Sequence, residues 1–376
     1  MKLTVLQENL AKSLAVSSRF VSFRTQLPVL ANILFSAGKN KLRVAATNLE
    51  TSAVIGLGAQ VKEEGELTVP AKIITEIIAN LPAGPLELES DQEHLKIKTP
   101  HFTAKALGMN SADFPKLPQV IETTGALVLP KKELLVALNQ VLFAVSADES
   151  RPILTGVLFA FSKEGLSLVA TDGFRLSQKK IGLKDKSMAR KVVLPKNPLV
   201  EIVRLGEETD EIKMSCKDKE SQAVFGLGEV ILSSRVLEGE FPDYEKIIPK
   251  SSNLKIRTDK EELLRAVKLA SVFARDSANI VKFKIEKESL TLSAESPQAG
   301  NQEASVEAKV EPAFAEASAG KGFEISFNYR FLEEFLRAVS GEEVCLEFTD
   351  AASPGVFTDP KDPDFLHLIM PVKIQE

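Results

Sequence analysis

Cysteine is nearly absent: Cys216 and Cys345 are the only two in 376 residues. They stand far apart with no neighbouring histidine, which excludes a zinc cage or a CxxC redox pair built from sequence neighbours and leaves two reduced core thiols as the plain reading. Histidine is as scarce, with only His94, His101 and His367. No HExxH, GxSxG or GxxxxGK[ST] motif occurs, so metalloprotease, α/β-hydrolase and P-loop chemistry lack their signature groups. Two GLG triplets, Gly56 to Gly58 and Gly226 to Gly228, sit in the apolar contexts AVIGLG and AVFGLG. No helix pattern follows them, so they read as strand bends or bulges rather than a dinucleotide fingerprint. Carboxylates are plentiful, yet none forms a catalytic constellation legible from spacing. No stretch approaches 18 apolar residues without a charge, which excludes a membrane-spanning helix. The opening MKLTVLQENLAKSLAVSS carries no apolar core of the secretory kind, so the expected compartment is the cytoplasm.

What is present is ordinary for a folded protein: 44% hydrophobic and 26% charged residues. At about 100 to 200 residues per domain, the length implies two to four domains. The net charge is −5, from 47 basic and 52 acidic side chains, so a nucleic-acid binder would need its charges segregated.

An internal repeat supplies the organisation. LPVLANILFSAGKNKLRVAATNLE (Leu27 to Glu50), RPILTGVLFAFSKEGLSLVATDGFR (Arg151 to Arg175) and ANIVKFKIEKESLTLSAESP (Ala278 to Pro297) each give two apolar strands around a charged turn, and Ala46, Ala170 and Ala294 recur every 124 residues. Upstream of each lies an amphipathic helix pattern: Leu6, Leu10, Leu14 and Phe20; Leu134, Leu138, Val141 and Val145; Leu263, Val267, Ala270 and Phe273. Downstream, TVPAKIITEIIANL, VLPKNPLVEIVRL and ISFNYRFLEEFLRAV each read as a strand followed by a short helix, with Pro198 tolerated at the helix start. The expected fold is α+β, with three repeated domains, 1–124, 125–251 and 252–376, each of two helices packed on β-meanders. Repeated units that meet edge to edge tend toward arcs or closed rings, and closure removes exposed sheet edges.

LPVLANILF with AATNLE, RPILTGVLF with VATDGFRLS, the loops SADFPKLP and FPDYEKIIP, ISFNYRFLEEFL and the terminal HLIMPVKI together resemble, in order and spacing, the bacterial β sliding clamps, subunits of DNA polymerase III. The resemblance runs from Met1 to about Ile374. It implies a head-to-tail homodimer: a ring of six domains, helices inside and sheets outside, threaded by double-stranded DNA irrespective of its base sequence. It implies a non-catalytic processivity factor without cofactor or metal, acting at the nucleoid with the replicative polymerase, the clamp loader and other carriers of clamp-binding peptides. Twelve helices about 10 Å apart, less about 10 Å of helix thickness, would leave a hole on the order of 28 Å, enough for hydrated duplex.

The resemblance assigns DNA proximity to Lys12, Arg19, Arg24, Lys72, Lys196, Arg204, Lys268, Arg275, Arg330 and Arg337. Arg24 matches the family's basic residue just before the LPxL strand. Lys12 and Arg19, Lys268 and Arg275, and Arg330 and Arg337 are each seven apart and so share helix faces; without the resemblance the plain reading is a solvated face. A groove for short, glutamine-led hydrophobic peptides is implied by the resemblance at Leu154, Thr171, Gly173, Phe174, Arg175, Leu176, Pro242, Ile247, Leu368, Met370, Pro371 and Val372. Alone, Thr171-Asp172-Gly173 reads as a turn. Phe174 stands where the family often has His or Tyr, which implies a lost polar contact. Phe102 and Phe273 match interface positions between subunits, although isolated phenylalanines are more often core.

Three features depart from the family pattern. Pro312 to Gly322 is a long small-residue stretch that reads as a surface insertion, Pro152 and Ile153 replace tyrosines, and Gln375 and Glu376 extend the end. Two rival readings stand beside the clamp. One is a non-encircling three-repeat scaffold that binds partners through the same groove; the other is a small-molecule hydrolase, which would require a convergent acid/base site.

Overall fold

The computed structural model describes residues 1–23, 25–121, 126–184, 189–217, 221–286, 288–312 and 323–373. In the first third, β1 (Lys2–Leu6) leads to α1 (Gln7–Ser17). Next come β2 (Asn32–Gly38), β3 (Lys41–Thr47), β4 (Thr51–Gly58), β5 (Gln60–Glu63), β6 (Gly65–Pro70) and α2 (Ala71–Ala79); β7 (Pro85–Asp91), β8 (His94–Thr99) and β9 (Phe102–Leu107) end it. The middle third repeats the order with β10 (Leu127–Leu129), α3 (Lys131–Val141), β11 (Gly156–Ser162), β12 (Gly165–Thr171), β13 (Arg175–Ile181) and β14 (Arg190–Pro195), then α4 (Lys196–Gly206), β15 (Ile212–Lys217), β16 (Gln222–Leu227) and β17 (Val230–Arg235). The last third follows with β18 (Leu254–Asp259), α5 (Lys260–Ala274), β19 (Ile280–Ile285), β20 (Ser289–Ser296), β21 (Gly300–Pro312) and β22 (Phe323–Asn328), then α6 (Tyr329–Ala338), β23 (Glu343–Phe348), β24 (Gly355–Asp359) and β25 (Asp362–Ile369).

By compactness the chain divides into two units, Met1–Lys131 with Asn197–Val236 and Lys132–Lys196 with Leu237–Glu376, so the middle repeat contributes to both. The first unit holds a five-stranded sheet, β5-β1-β7-β8-β9, and an eight-stranded sheet, β10-β15-β16-β17-β4-β3-β2-β6. The second holds a twelve-stranded sheet, β14-β11-β12-β13-β25-β24-β23-β18-β21-β20-β19-β22. Every pairing between these strands is antiparallel.

Local chemistry sets the helices. Asp259 caps α5 by accepting the Glu262 N–H at 2.8 Å, and Asn328 caps α6 by accepting the Arg330 N–H at 3.0 Å. On α6, Tyr329, Leu332, Phe335 and Leu336 are buried while Arg330 and Arg337 face solvent, the stripe that 3.6-residue periodicity requires. The core beneath is phenylalanine-rich: rings of Phe283, Phe327, Phe335, Phe348, Phe357 and Phe365 lie 5.5 to 6.1 Å apart in stacked, tilted and edge-on pairs.

Two helix expectations need correction. Leu6 ends β1 and is 49% exposed rather than sitting on the apolar face of α1. Arg19 does not share a helix face with Lys12, because α1 stops at Ser17. The Ser18 N–H bonds back to the Leu14 carbonyl and the Phe20 N–H to Ser17, and this tightened turn delivers Phe20 to the core. The GLG triplets are strand ends: Gly58 closes β4, and Gly228, at φ 61°, makes the β16–β17 turn.

Candidate peptide groove, helix cations and strand edges

The repeats are joined by strand pairing. In the first unit, β17 of the second repeat pairs with β4 of the first, setting Ser233 opposite Ser52. In the second unit, β25 of the third repeat pairs with β13 of the second in the same way, setting Leu368 opposite Leu176. The FPDYEKIIP loop folds over this second junction, so that Tyr244 shares an apolar cluster with Leu158, Val169, Leu176 and Leu368.

The expected groove residues gather here, all within the second unit. Leu154, Thr171, Leu176 and Leu368 are buried and form the floor, whereas Phe174, Pro242, Ile247 and Met370 are exposed, with Pro371 and Val372 half-buried beside them. The tail is held by the Met370 N–H to the Phe174 carbonyl and the Val372 N–H to the Ser326 carbonyl, both 2.8 Å. Exposed thioether, phenyl and sec-butyl groups over a closed apolar floor form a surface for hydrophobic side chains, and flexible Met suits it to varied ones.

The rim turn is built by short-range hydrogen bonds. Thr171 Oγ1 donates to the Arg175 carbonyl at 2.6 Å, and Asp172 Oδ1 accepts the Phe174 and Arg175 N–H groups at 2.9 and 3.0 Å. Gly173, at φ 93°, supplies the left-handed residue such a turn needs. Arg175 is not a free contact residue. Its side chain, 9% exposed, donates from Nε to Asp172 at 3.0 Å and from Nη2 to the Phe143 carbonyl at 2.6 Å, and pairs with Glu334. Its guanidinium carbon lies 4.4 Å from the Phe331 ring centre. Glu334, Phe331, Phe143, Tyr244 and Ser326 are the supports that sequence reasoning missed. Tyr244 lay in the quoted FPDYEKIIP, and Ser326, Phe331 and Glu334 in the quoted ISFNYRFLEEFL, but nothing local ties them to the groove, and Phe143 lay in no quoted motif.

Below the groove, His367 is fully buried, stacked on Phe335 at 5.5 Å, with Nδ1 2.7 Å from the Ser177 hydroxyl and Nε2 without a hydrogen-bond partner among the described residues. Burial, and secondarily the Arg175 charge, pull its pKa down to about 3, so it is neutral at physiological pH.

Of the ten expected DNA-facing cations, Arg24 lies outside the described residues. The other nine are exposed. Arg19 and Arg204 both pair with the buried carboxylate of Glu201, Arg204 at 2.7 Å, and Arg337 pairs with Glu333 at 2.6 Å. Among the described residues, Lys12, Lys72, Lys196, Lys268, Arg275 and Arg330 make no side-chain hydrogen bond or ion pair, which leaves them available to an anion.

Of the two interface phenylalanines, Phe102 is 38% exposed at the start of β9, an edge strand, whereas Phe273 is partly buried against the third-repeat core. Beside Phe273, Leu269 and Val272 stand exposed on α5, apolar breaks in a polar face that the heptad reading passed over. In β21, Gly300–Glu307 pairs with β20 alone, the partnership with β18 beginning only at Ala308. The stretch 313–322, most of the expected insertion, and residues 374–376, with the Gln375–Glu376 extension, lie outside the described residues. No helix among the described residues is long and apolar enough to cross a membrane.

Comparison with known proteins agrees along the whole chain. Residues 1–118, 128–243 and 245–373 match families described as the N-terminal, central and C-terminal domains of the DNA polymerase III beta subunit. A beta sliding clamp of Synechococcus elongatus is 30% identical over 383 residues, covering 100% of both chains, and that of Bacillus subtilis is 29% identical, covering 99% of this chain and 100% of its own. The solved Bacillus subtilis DNA polymerase sliding clamp superposes with a TM-score of 0.92 at 28% identity, and the Thermotoga maritima beta subunit with 0.90 at 26%, each with full coverage of both chains. The fold is thus the three-domain sliding-clamp fold, in which helices and antiparallel sheets repeat three times. The chain belongs to the beta sliding clamp family, the beta subunits of DNA polymerase III.

Proposed function

We propose that two copies of this chain close head to tail around double-stranded DNA, and that the ring tethers the replicative polymerase as its processivity factor. Family membership favours this over a non-encircling scaffold and over a hydrolase. The observation that carries closure is an unfilled pair of edges. Within the chain, β4 accepts β17 and β13 accepts β25. The equivalent acceptor of the third repeat, β21 at Gly300–Glu307, and the equivalent last strand of the first repeat, β9, each lack that partner among the described residues. A second copy supplies both at once, and head-to-tail pairing with two-fold repetition leaves neither edge open.

In this reading the domains are 1–124, 125–251 and 252–376, and retention on DNA is topological. Lys12, Lys72, Lys196, Lys268, Arg275 and Arg330, joined by Arg19, Arg24, Arg204 and Arg337, make loose phosphate contacts through water that permit sliding. The Leu176–Leu368 groove takes hydrophobic clamp-binding peptides of the polymerase and the loader. No bond is made or broken by the chain, and it works in the cytoplasm at the nucleoid. Sedimentation at micromolar concentration tests closure: the chain should run at twice its 41.0 kDa, and a monomer at all concentrations would contradict it.

A further inference from the structure

The β4–β17 junction repeats the groove's backbone while inverting its chemistry. Ser52 lies 124 residues before Leu176, and its cross-strand partner Ser233 stands where Leu368 stands. At the rim, the Arg235 N–H donates to the Glu50 carbonyl at 2.8 Å, as the Met370 N–H donates to that of Phe174, and Glu50 is again 124 residues before Phe174. The SADFPKLP loop covers this junction as FPDYEKIIP covers the other, with Phe114 packed among Ala45, Val54, Val224 and Ile231. The result is a cleft of about 560 Å³. Where the groove has two leucines, this cleft has hydroxyls 2.6 Å apart, and Gln222 donates to Ser233 at 3.3 Å. Where the groove rim has Phe and Met, this one has Glu50 and Arg235, joined by Lys116 from the covering loop.

The floor hydroxyls and amide can bond to polar side chains, and the apolar groups of the lining, Leu49, Leu117 and the two prolines of the covering loop, are confined to its walls. At the mouth, Glu50, Lys116 and Arg235 are exposed and, among the described residues, their side chains make no hydrogen bond or ion pair, so the lining carries one net positive charge. We propose that this cleft is a second docking site, for an extended, acidic and hydroxyl-rich segment of a partner protein. Its carboxylates pair with Arg235 and Lys116, and its hydroxyls meet Ser52, Ser233 and Gln222. The proposal rests on the reading of the Leu176–Leu368 groove as a peptide site, whose backbone this cleft shares.

The test pans displayed random heptapeptides against the full chain while excess glutamine-led hydrophobic peptide fills the groove. Acid- and hydroxyl-rich heptapeptides should be enriched. A synthetic, fluorescein-labelled copy should bind about tenfold or more weakly to the K116E/R235E variant, by loss of charge-assisted hydrogen bonds, and equally well to M370A. Both cations are exposed and unbonded, so the double variant keeps its fold. No acidic enrichment, or an enriched peptide that K116E/R235E binds as wild type does, overturns the proposal. The glutamine-led peptide separates the two readings. If it binds and weakens with M370A while the acidic peptide fails, only the cleft is lost; if it fails while the acidic peptide binds through Arg235, only the groove is lost.

Discussion

Replacing Arg175 with alanine should loosen the groove rim from beneath, without touching any exposed apolar residue. Arg175 is nearly buried, and its removal leaves Asp172, whose side chain is 16% exposed, without its cation, while Glu334, 43% exposed, turns to water. Asp172 still accepts two backbone N–H groups, so its loss is one charge-assisted bond, about 1.5–3 kcal/mol at most. The Phe143 carbonyl loses its donor and Phe331 its cation, about 1 kcal/mol each, and the ion pair to Glu334 contributes little because it is solvated. The sum is about 4 kcal/mol, which at about 2–4 °C per kcal/mol for a unit of this size lowers its melting temperature by about 8–16 °C. Differential scanning calorimetry measures that shift. Fluorescence anisotropy with a glutamine-led hydrophobic peptide measures the functional effect, because the turn that Arg175 holds presents the Phe174 carbonyl to Met370. Affinity should fall about tenfold, and Arg175→Lys, which keeps charge but not the planar fork, should recover part of both losses. An R175A protein that melts within about 2 °C of wild type, against the roughly 4 kcal/mol loss expected, or melts lower with unchanged peptide affinity, would refute the positioning role.

Truncating Met370 to alanine removes exposed thioether surface while keeping its backbone bond, so peptide affinity should drop with little change in melting temperature, as anisotropy and calorimetry together would show. Glu201→Gln should release Arg19 and Arg204; duplex binding at low salt should tighten, with a salt slope steeper by about one to two counterions, and an unchanged slope would remove these arginines from the DNA face. Leu269→Asp with Val272→Asp should turn a dimer into a monomer at micromolar concentration by sedimentation, since charge would enter an apolar contact; an intact dimer would place the interface elsewhere. His367 has a folded pKa, about 3, below its ordinary 6.5, so its neutral form favours the fold. Its stabilising contribution is complete above about pH 6.5 and is lost as pH falls toward 3, at up to about 1.4 kcal/mol per pH unit. Urea midpoints between pH 7 and 5 should therefore fall more steeply for wild type than for His367→Gln, and parallel curves would contradict this.

The three-fold organisation was legible because it is written in local pattern. Ala46, Ala170 and Ala294 mark it, and the strand pairs around them form as read, as do the helix stripes apart from end residues such as Leu6 and Phe20, which lie outside α1. The groove was legible only through motif resemblance, since Leu154, Thr171, Leu176 and Leu368 come from separate strands and turns. The interactions that tune these surfaces escaped: Arg19 reaches Glu201, Arg175 reaches Glu334 and Ser52 meets Ser233, pairs 182, 159 and 181 residues apart. No window of sequence carries such a pairing. Heptad spacing misled at Arg19 because it assumed a continuous helix, whereas burial of Phe20 ends α1 first. The same spacing holds for Arg330 and Arg337, where α6 is unbroken.

Encirclement is tested most directly by retention on DNA of defined topology. The chain, placed by a clamp loader and ATP on nicked circular DNA, should remain bound through gel filtration at salt concentrations that strip ordinary phosphate contacts, and should run off within minutes once the circle is cut at one site. Equal, salt-sensitive loss from circular and linear DNA would show a protein held by surface charge alone and would contradict the ring.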